Sequence, residues 1–556
     1  MPTRVIAVLL LTLQPRQAIQ AQPVPDLVDR VPDGFALCVT VQNLREHWQR
    51  WQKDAWLAKA ADSPLGKAIL QAPEIRNLQK FETDLQAAFD LNWSAVRDDL
   101  LGGQVIFAFK PSPSGKHEDE EGLLLVHARR ADLWQRMFDK LNDLQKENGE
   151  LKLLEERKHQ GQTYWKRSQK TDHWVVIDGP FLAVSNREAA IRSVLERKSK
   201  GISALSRSLK RAGQDKAFLS IWVNPRVFDK ELDKAPADAA SNPIFKTLLS
   251  TWKSIDAAVV TADWTDNGEI RLFVQPIDNI AEPARKWFER KPVASEAWAR
   301  LPEDALFAFA GKLDFAEAAR QLSELVAEKD SKEAKDAIQR LVGSILGLDV
   351  FKEILPAIGP DLGFAVFAAK EPHHPPQALF ALRMDRGKGE AAVDQAMVKS
   401  LQVVVGFSLF DWNRKQKTPI RLRTKKQDGA EIHYLSHDKQ FPPGFQPAFG
   451  LKDGYLLLAT APEAFTRFRA ATPPPSDEAP IARLSPALAG KLLAQHRDTA
   501  VAALVERQSM TQEAARERID ALQTTLALFE RIAVSQSIQE GQLVWTVRIT
   551  PAAVAK

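Results

Sequence analysis

Two twelve-residue stretches, DGPFLAVSNREA (Asp178 to Ala189) and DGYLLLATAPEA (Asp453 to Ala464), align without a gap and agree at five positions. Each reads as an Asp-Gly turn, a five-residue apolar strand and then a hydroxyl, Ser185 or Thr460, with a carboxylate three residues on, Glu188 or Glu463. That is the pattern of a reciprocal helix N-cap, in which a side-chain oxygen accepts from the third N–H of the helix. A motif recurring after about half the chain constrains the fold more than any composition can, because whatever one half becomes the other is expected to become too.

The rest of the punctuation follows the same spacing. VPDGFALCVTV (Val31 to Val41) and LPEDALFAFAG (Leu301 to Gly311) each read as a strand opened by a turn and followed by a helix, with Asn43 and Glu46, or Asp314 and Glu317, as the capping pair. GGQVIFAFKP (Gly102 to Pro111) matches DLGFAVFAAK (Asp361 to Lys370), and EGLLLVHARR (Glu121 to Arg130) matches QALFALRMDR (Gln377 to Arg386). Both pairs predict a hairpin and then a helix, at Asp132 to Leu144 or at Lys388 to Gln402, and Tyr164 and Tyr434 fall on matching strands.

A smaller unit follows each large one. AFLSIWVNP (Ala217 to Pro225) reads as a strand, and Ile255 to Pro276 as a hairpin turning at Asn267-Gly268; in the second half AVAALVE (Ala500 to Glu506) takes the strand's part and Ile532 to Pro551 the hairpin's, turning at Glu540-Gly541. Between them runs a helix whose Ile519, Leu522, Leu526 and Phe529 form one apolar stripe. Lys291 to Pro302 reads as the linker between halves and Thr472 to Pro480 as that between large and small units. The expected class is α+β with tandem-duplicated modules of mainly antiparallel sheet: large module A over 27–200, small A over 210–278, large B over 297–471 and small B over 483–552.

Residues 1–21 have the parts of a secretory signal, with Arg4, the apolar run Val5 to Leu13 and the small Ala21, so the mature chain is expected to begin at Gln22. The run is too short to span a bilayer, and no later segment is long and apolar enough, so no transmembrane segment is expected in the mature chain. Loss of Arg4 and Arg16 lowers the net charge from +5 to +3, which gives no basic footprint for nucleic acid. The best local cluster, RLRTKK (Arg421 to Lys426), alternates as the solvated face of a strand would.

A single Cys excludes a disulfide framework and thiolate-held clusters. Cys38 lies in an alternating strand with no cationic or His neighbour in sequence, the setting of a packing residue rather than a thiolate nucleophile. No nucleophile elbow, phosphate loop, dinucleotide turn, zinc helix or calcium loop occurs. His117, His373 and His374 sit at predicted loop tips, and His433 and His437, four apart on a strand, would stand about 13 Å from each other, too far for one ion. Trp48 and Trp51 with Leu44 and Ala55 make a helix stripe that reads as core, though exposed rings could stack on apolar ligands. No catalytic, cofactor-binding or metal residue is assigned, and no cofactor.

In the order of these parts, VPDGFALCVTV, LPEDALFAFAG, DGPFLAVSNREA and DGYLLLATAPEA, the chain resembles a family of large exported bacterial proteins of unknown function built from paired α+β modules. The resemblance implies export and a repeated scaffold without catalytic look, and brings no functional residues. The function expected is that of an exported, non-catalytic binding or scaffold protein of the cell envelope, its partner an unknown envelope protein or an apolar ligand. The alternatives are a carrier holding a lipid-like ligand between the halves, and an envelope hydrolase without a recognisable motif.

Overall fold

The computed structural model of the chain describes residues 27–553 apart from short stretches, the longest of them 74–82, 235–242, 341–348 and 385–392. The expected signal segment and most of the Thr472 to Pro480 linker lie outside the described residues. The first half contributes β1 (Leu37–Gln42), β2 (Gln104–Lys110), β3 (Glu121–His127), β4 (Leu153–His159), β5 (Gln162–Ser168), β6 (Asp172–Asp178), β7 (Phe181–Ser185), β8 (Leu219–Val223), β9 (Ile255–Trp264) and β10 (Gly268–Pro276). The second contributes β11 (Phe307–Lys312), β12 (Ile358–Phe367), β13 (Gln377–Met384), β14 (Arg421–Gln427), β15 (Ala430–Ser436), β16 (Ala448–Lys452), β17 (Tyr455–Ala459), β18 (Ala479–Leu484), β19 (Phe529–Gln539) and β20 (Gln542–Pro551).

Among the described residues 20 strands join one sheet, and every pairing is antiparallel. From one edge the first-half order is β4, β5, β6, β7, β3, β2, β1, β8, β9, β10. From the other edge it is β14, β15, β16, β17, β13, β12, β11, β18, β19, β20, the same order with each number raised by ten. The two runs meet where β10 pairs with β20 over Gly268 to Val274 and Leu543 to Ile549. Among the described residues four hairpins turn on two residues that both take positive φ, Gln160-Gly161, Asp428-Gly429, Asp453-Gly454 and Glu540-Gly541. This geometry matches the strand twist, so the turns also fix register.

Alternation puts helices on both faces. On β3, Leu123 and Leu125 enter a core with the turn Leu27–Arg30 and the helices over Glu188–Arg197 and Ala204–Arg211, while Leu124 and Val126 face the helix Leu133–Glu147 on the other side. The helices used below are α1 (Leu44–Trp51), α2 (Ala55–Asp62), α3 (Leu133–Glu147), α4 (Glu188–Arg197), α5 (Ala204–Arg211), α6 (Glu296–Arg300), α7 (Phe315–Leu325), α8 (Val393–Asn413), α9 (Arg497–Gln508) and α10 (Gln512–Leu526). The second core is built around small side chains, among them Ala297, Ala308, Ala365 and Ala381. Ala297 and Leu301 enter that core from α6, within Lys291 to Pro302, with Asp361 accepting from the N–H groups of Glu296 and Ala297.

Several local expectations are corrected. Ala500 to Glu506 is helix, not strand: Val501 and Val505 fall four apart on one face of α9, and the strand that pairs with β11 is β18. A short apolar run rich in Ala carries no period that tells helix from strand. Leu522 on α10 is largely exposed and Phe529 begins β19, so the expected four-residue stripe is not one buried row. The capping pattern holds for Asp314, which accepts from Glu317 N–H at 2.9 Å, but not elsewhere. Asn43 takes φ 52 and makes no side-chain cap, and Glu46 goes to Arg129. Ser185 remains in β7, donating to Gly122 O at 2.7 Å and accepting from Arg187 N–H at 3.1 Å, while Thr460 accepts from Ala378 N–H at 2.9 Å. Both hydroxyls serve the sheet: Ser185 is the last residue of β7 and bonds across to β3, and Thr460, just past β17, bonds across to β13.

The paired motif is also offset by one. β6 and β7 pair Asp178 with Phe181 and turn on Gly179-Pro180, whereas β16 and β17 pair Lys452 with Tyr455 and turn on Asp453-Gly454. Pro180 fixes a negative φ, so the left-handed residue must be Gly179, the place Asp453 takes in the second half. By the same registers, with Trp165 opposite Val175 and His433 opposite Phe449, Tyr164 shares its place with Ile432 and not with Tyr434.

Candidate functional site

Several carboxylates and a phenol of the two halves are held by structural partners. Glu188 at the start of α4 accepts from the Tyr164 hydroxyl at 2.6 Å, from Arg192 at 2.7 Å and from Arg157 at 3.0 Å. Those contacts, the Tyr164 bond first, lower its pKa to about 2. Glu463 in the second half meets Lys425 at 2.9 Å. Glu478 is lowered chiefly by its bond to Arg548 and also by Ser535. Asp361 accepts from the Tyr455 hydroxyl as well as capping α6, and burial pushes the Tyr455 phenol up. Each of these carboxylates is thus already occupied by a tyrosine, an arginine, a lysine or backbone N–H groups.

The residues weighed from sequence are dispersed. His117 is almost wholly exposed and bonds Glu120 at 2.7 Å, and His373 is exposed in the loop before β13. His433 is buried on β15, bonded to Gln402 and to Thr424 at 2.9 Å, with its pKa lowered by burial, while His437 contacts Thr418 O at 3.0 Å. Among the described residues no group of three or more His, Cys, Asp or Glu is placed to hold a metal ion. Leu44 and Trp48 are buried and Trp51 meets Phe218 edge-on at 4.9 Å, so these three are packing, whereas Ala55 lies exposed at the start of α2 and is not part of the row. Cys38 is fully buried in the first core and its thiol pKa is raised by burial. Arg421 and Arg423 stand exposed on edge strand β14, and Lys425 there reaches Glu463.

Among the described residues of the first half, two concavities stand out. One, of about 470 Å³, lies between α5 and the ends of β8, β9 and β10, lined by Arg207, Arg211, Asn224, Arg226, Asp256 and Asp278 over Trp222 and Gln275. Arg226 is committed to Lys253 O and Trp252 O, and Arg211 to Pro276 O. The Trp222 indole N–H, buried below them, has no hydrogen-bond partner among the described residues. Arg207 and Arg211, four apart, share a helix face, a spacing legible in the sequence; their approach to Arg226 and Asp256 is not. The second, of about 370 Å³, lies beneath α3 and is lined by Phe89, Trp134, Met137, Leu141, Val175 and Leu182, with Arg167 and Gln145 at its polar end. Arg167 is held there by Asn142 at 2.8 Å and by Gln145. Neither the mixed-charge cleft nor the apolar groove sets a nucleophile beside a base.

The fold is that of an α+β protein built on one long antiparallel sheet. The chain belongs to the family described as protein of unknown function (DUF3352), whose profile matches residues 71–413, more than half of its length. The expectation of a family of unknown function is met to that extent; the match carries nothing on export or paired modules. No curated protein and no solved structure matches the chain.

Proposed function

We propose that this is an exported, non-catalytic binding or scaffold protein of the cell envelope, made of two copies of one module joined into a single platform. The observation that carries the reading is the continuity of the sheet. Two ten-strand runs of identical order fuse edge to edge through β10 and β20 instead of packing as separate bodies. Twenty strands at the usual spacing give about 90 Å of hydrogen-bonded contour, a length suited to presenting surfaces to partners. The commitment of Glu188, Glu478 and Asp361 to structural partners supports the non-catalytic part, and the apolar run before Ala21 supports export.

The carrier reading has its own support in the apolar groove beneath α3, which would place the ligand within the first half, not between the halves. One preparation tests both. The protein is expressed in a bacterial host with its leader, its N-terminus is sequenced, and it is weighed intact under native conditions. A start near Gln22 in the periplasmic fraction with a bound protein chain supports the scaffold; a bound lipid-sized mass lost on Leu141→Trp supports the carrier. An intact Met1 in the cytoplasm overturns the export reading.

A further inference from the structure

α8 has two apolar faces where its counterpart has one. α3, between β3 and β4, and α8, between β13 and β14, occupy the same place in the strand order. Toward the sheet α8 presents Met397, Leu401 and Val405, spaced by four, against Leu422, Phe449 and Leu456. Toward solvent it presents Val403, Phe407 and Phe410, spaced by four and three, which are 50%, 74% and 72% exposed, and its end adds Trp412 at 51%. The outer face of α3 carries Arg136, Asp139, Lys140 and Asp143 instead. The fold therefore does not need apolar residues at this position, and a row of exposed phenylalanines on one helix is a surface awaiting contact.

The charge around the row selects the contact. From residue 395 to 420 there are four cations, Lys399, Arg414, Lys415 and Lys417, all exposed, against the single carboxylate of Asp411. The basic turn is held beside the helix end, because the Asn413 side chain donates to Ile420 O and accepts from Ile420 N–H, each at 2.8 Å. Aromatic and aliphatic side chains flanked by Lys and Arg are the arrangement of a helix lying in the plane of an anionic lipid surface, rings among the acyl chains and cations at the phosphates. Spanning is excluded for α8, which is packed on the sheet along its inner face and is not apolar enough to cross. A second copy of the chain fits worse: an antiparallel pair centred on Phe407 sets Lys399 toward Arg414, and a parallel pair sets each cation against itself.

We propose that the outer face of α8 docks in the plane of an anionic phospholipid bilayer, with Val403, Phe407 and Phe410 inserted and the 414–417 turn on the headgroups. The inference stands apart from the export reading. The test is flotation of the full chain with vesicles of phosphatidylcholine alone or with about 30% phosphatidylglycerol. Binding is expected to the anionic vesicles, weakened by salt. The Phe407→Ser/Phe410→Ser variant should lose it by roughly tenfold or more, with an unchanged melting curve because both rings are exposed in the fold. Lys415→Glu/Lys417→Glu should weaken binding to the anionic vesicles and leave phosphatidylcholine unaffected. The proposal is overturned by any of three results: no binding to anionic vesicles, equal binding by the double Ser variant, which would assign it to another segment such as Val5 to Leu13, or a dimer by light scattering that Phe407→Ser dissociates.

Discussion

Gln275 on β10 donates from its Nε2 to the Oε1 of Gln542 on β20 at 2.8 Å, and both side chains are buried where the two halves of the sheet meet. The same Nε2 serves Ser208 O at 2.8 Å, and Gln542 Nε2 serves Arg211 O at 2.6 Å, so the pair ties the seam to α5. Gln275→Leu or Gln542→Leu strands buried acceptors, and each is expected to cost about 1–3 kcal/mol in urea unfolding. The double variant should cost less than the sum. Strict additivity would show that the two amides do not act together.

Glu188 supplies an acid dependence whose sign is fixed. Its pKa falls from 4.5 to about 2 on folding, so its contribution is complete above about pH 4.5 and fades as pH drops toward 2. Because the side chain is partly solvated, the expected contribution is on the order of 1 kcal/mol. Glu188→Gln should lower stability at pH 7 and flatten the stability curve between pH 4.5 and 2. A variant as acid-sensitive as the parent across that window would assign the dependence elsewhere.

Burial lowers the pKa of three histidines, His47, His127 and His433. The unfolded chain then binds more protons than the folded one below the ordinary value of 6.5, and stability falls as pH drops through it. The urea midpoint should be lower near pH 5.5 than at neutrality. His433→Gln should remove part of that difference. A midpoint independent of pH in this range would contradict the burial of all three.

Cys38, fully buried with a raised pKa, is expected to resist alkylation in the native protein and to react stoichiometrically once guanidinium unfolds it. Fast modification of the folded chain, followed by mass spectrometry, would show that the first core opens around β1.

Local chemistry decided the parts that the sequence makes legible. Strand positions such as Leu37–Gln42 and Glu121–His127, the Glu540-Gly541 hairpin and the Asp314 cap each depend on a few consecutive residues, so period and turn chemistry suffice to find them. The burial of Trp48 and of Cys38 followed from the same periods. Only the tertiary structure decided which strand stands beside which. β18 replaces Ala500 to Glu506 as the neighbour of β11, Gly179 aligns with Asp453, and Ser185 bonds across the sheet instead of capping α4. The same holds for Arg226 entering one cleft with Arg207, and for the outer row of α8 staying uncovered. These depend on partners tens to hundreds of residues away, whose side chains compete for each hydrogen bond and apolar face, and that competition is settled by packing, not by neighbours in sequence.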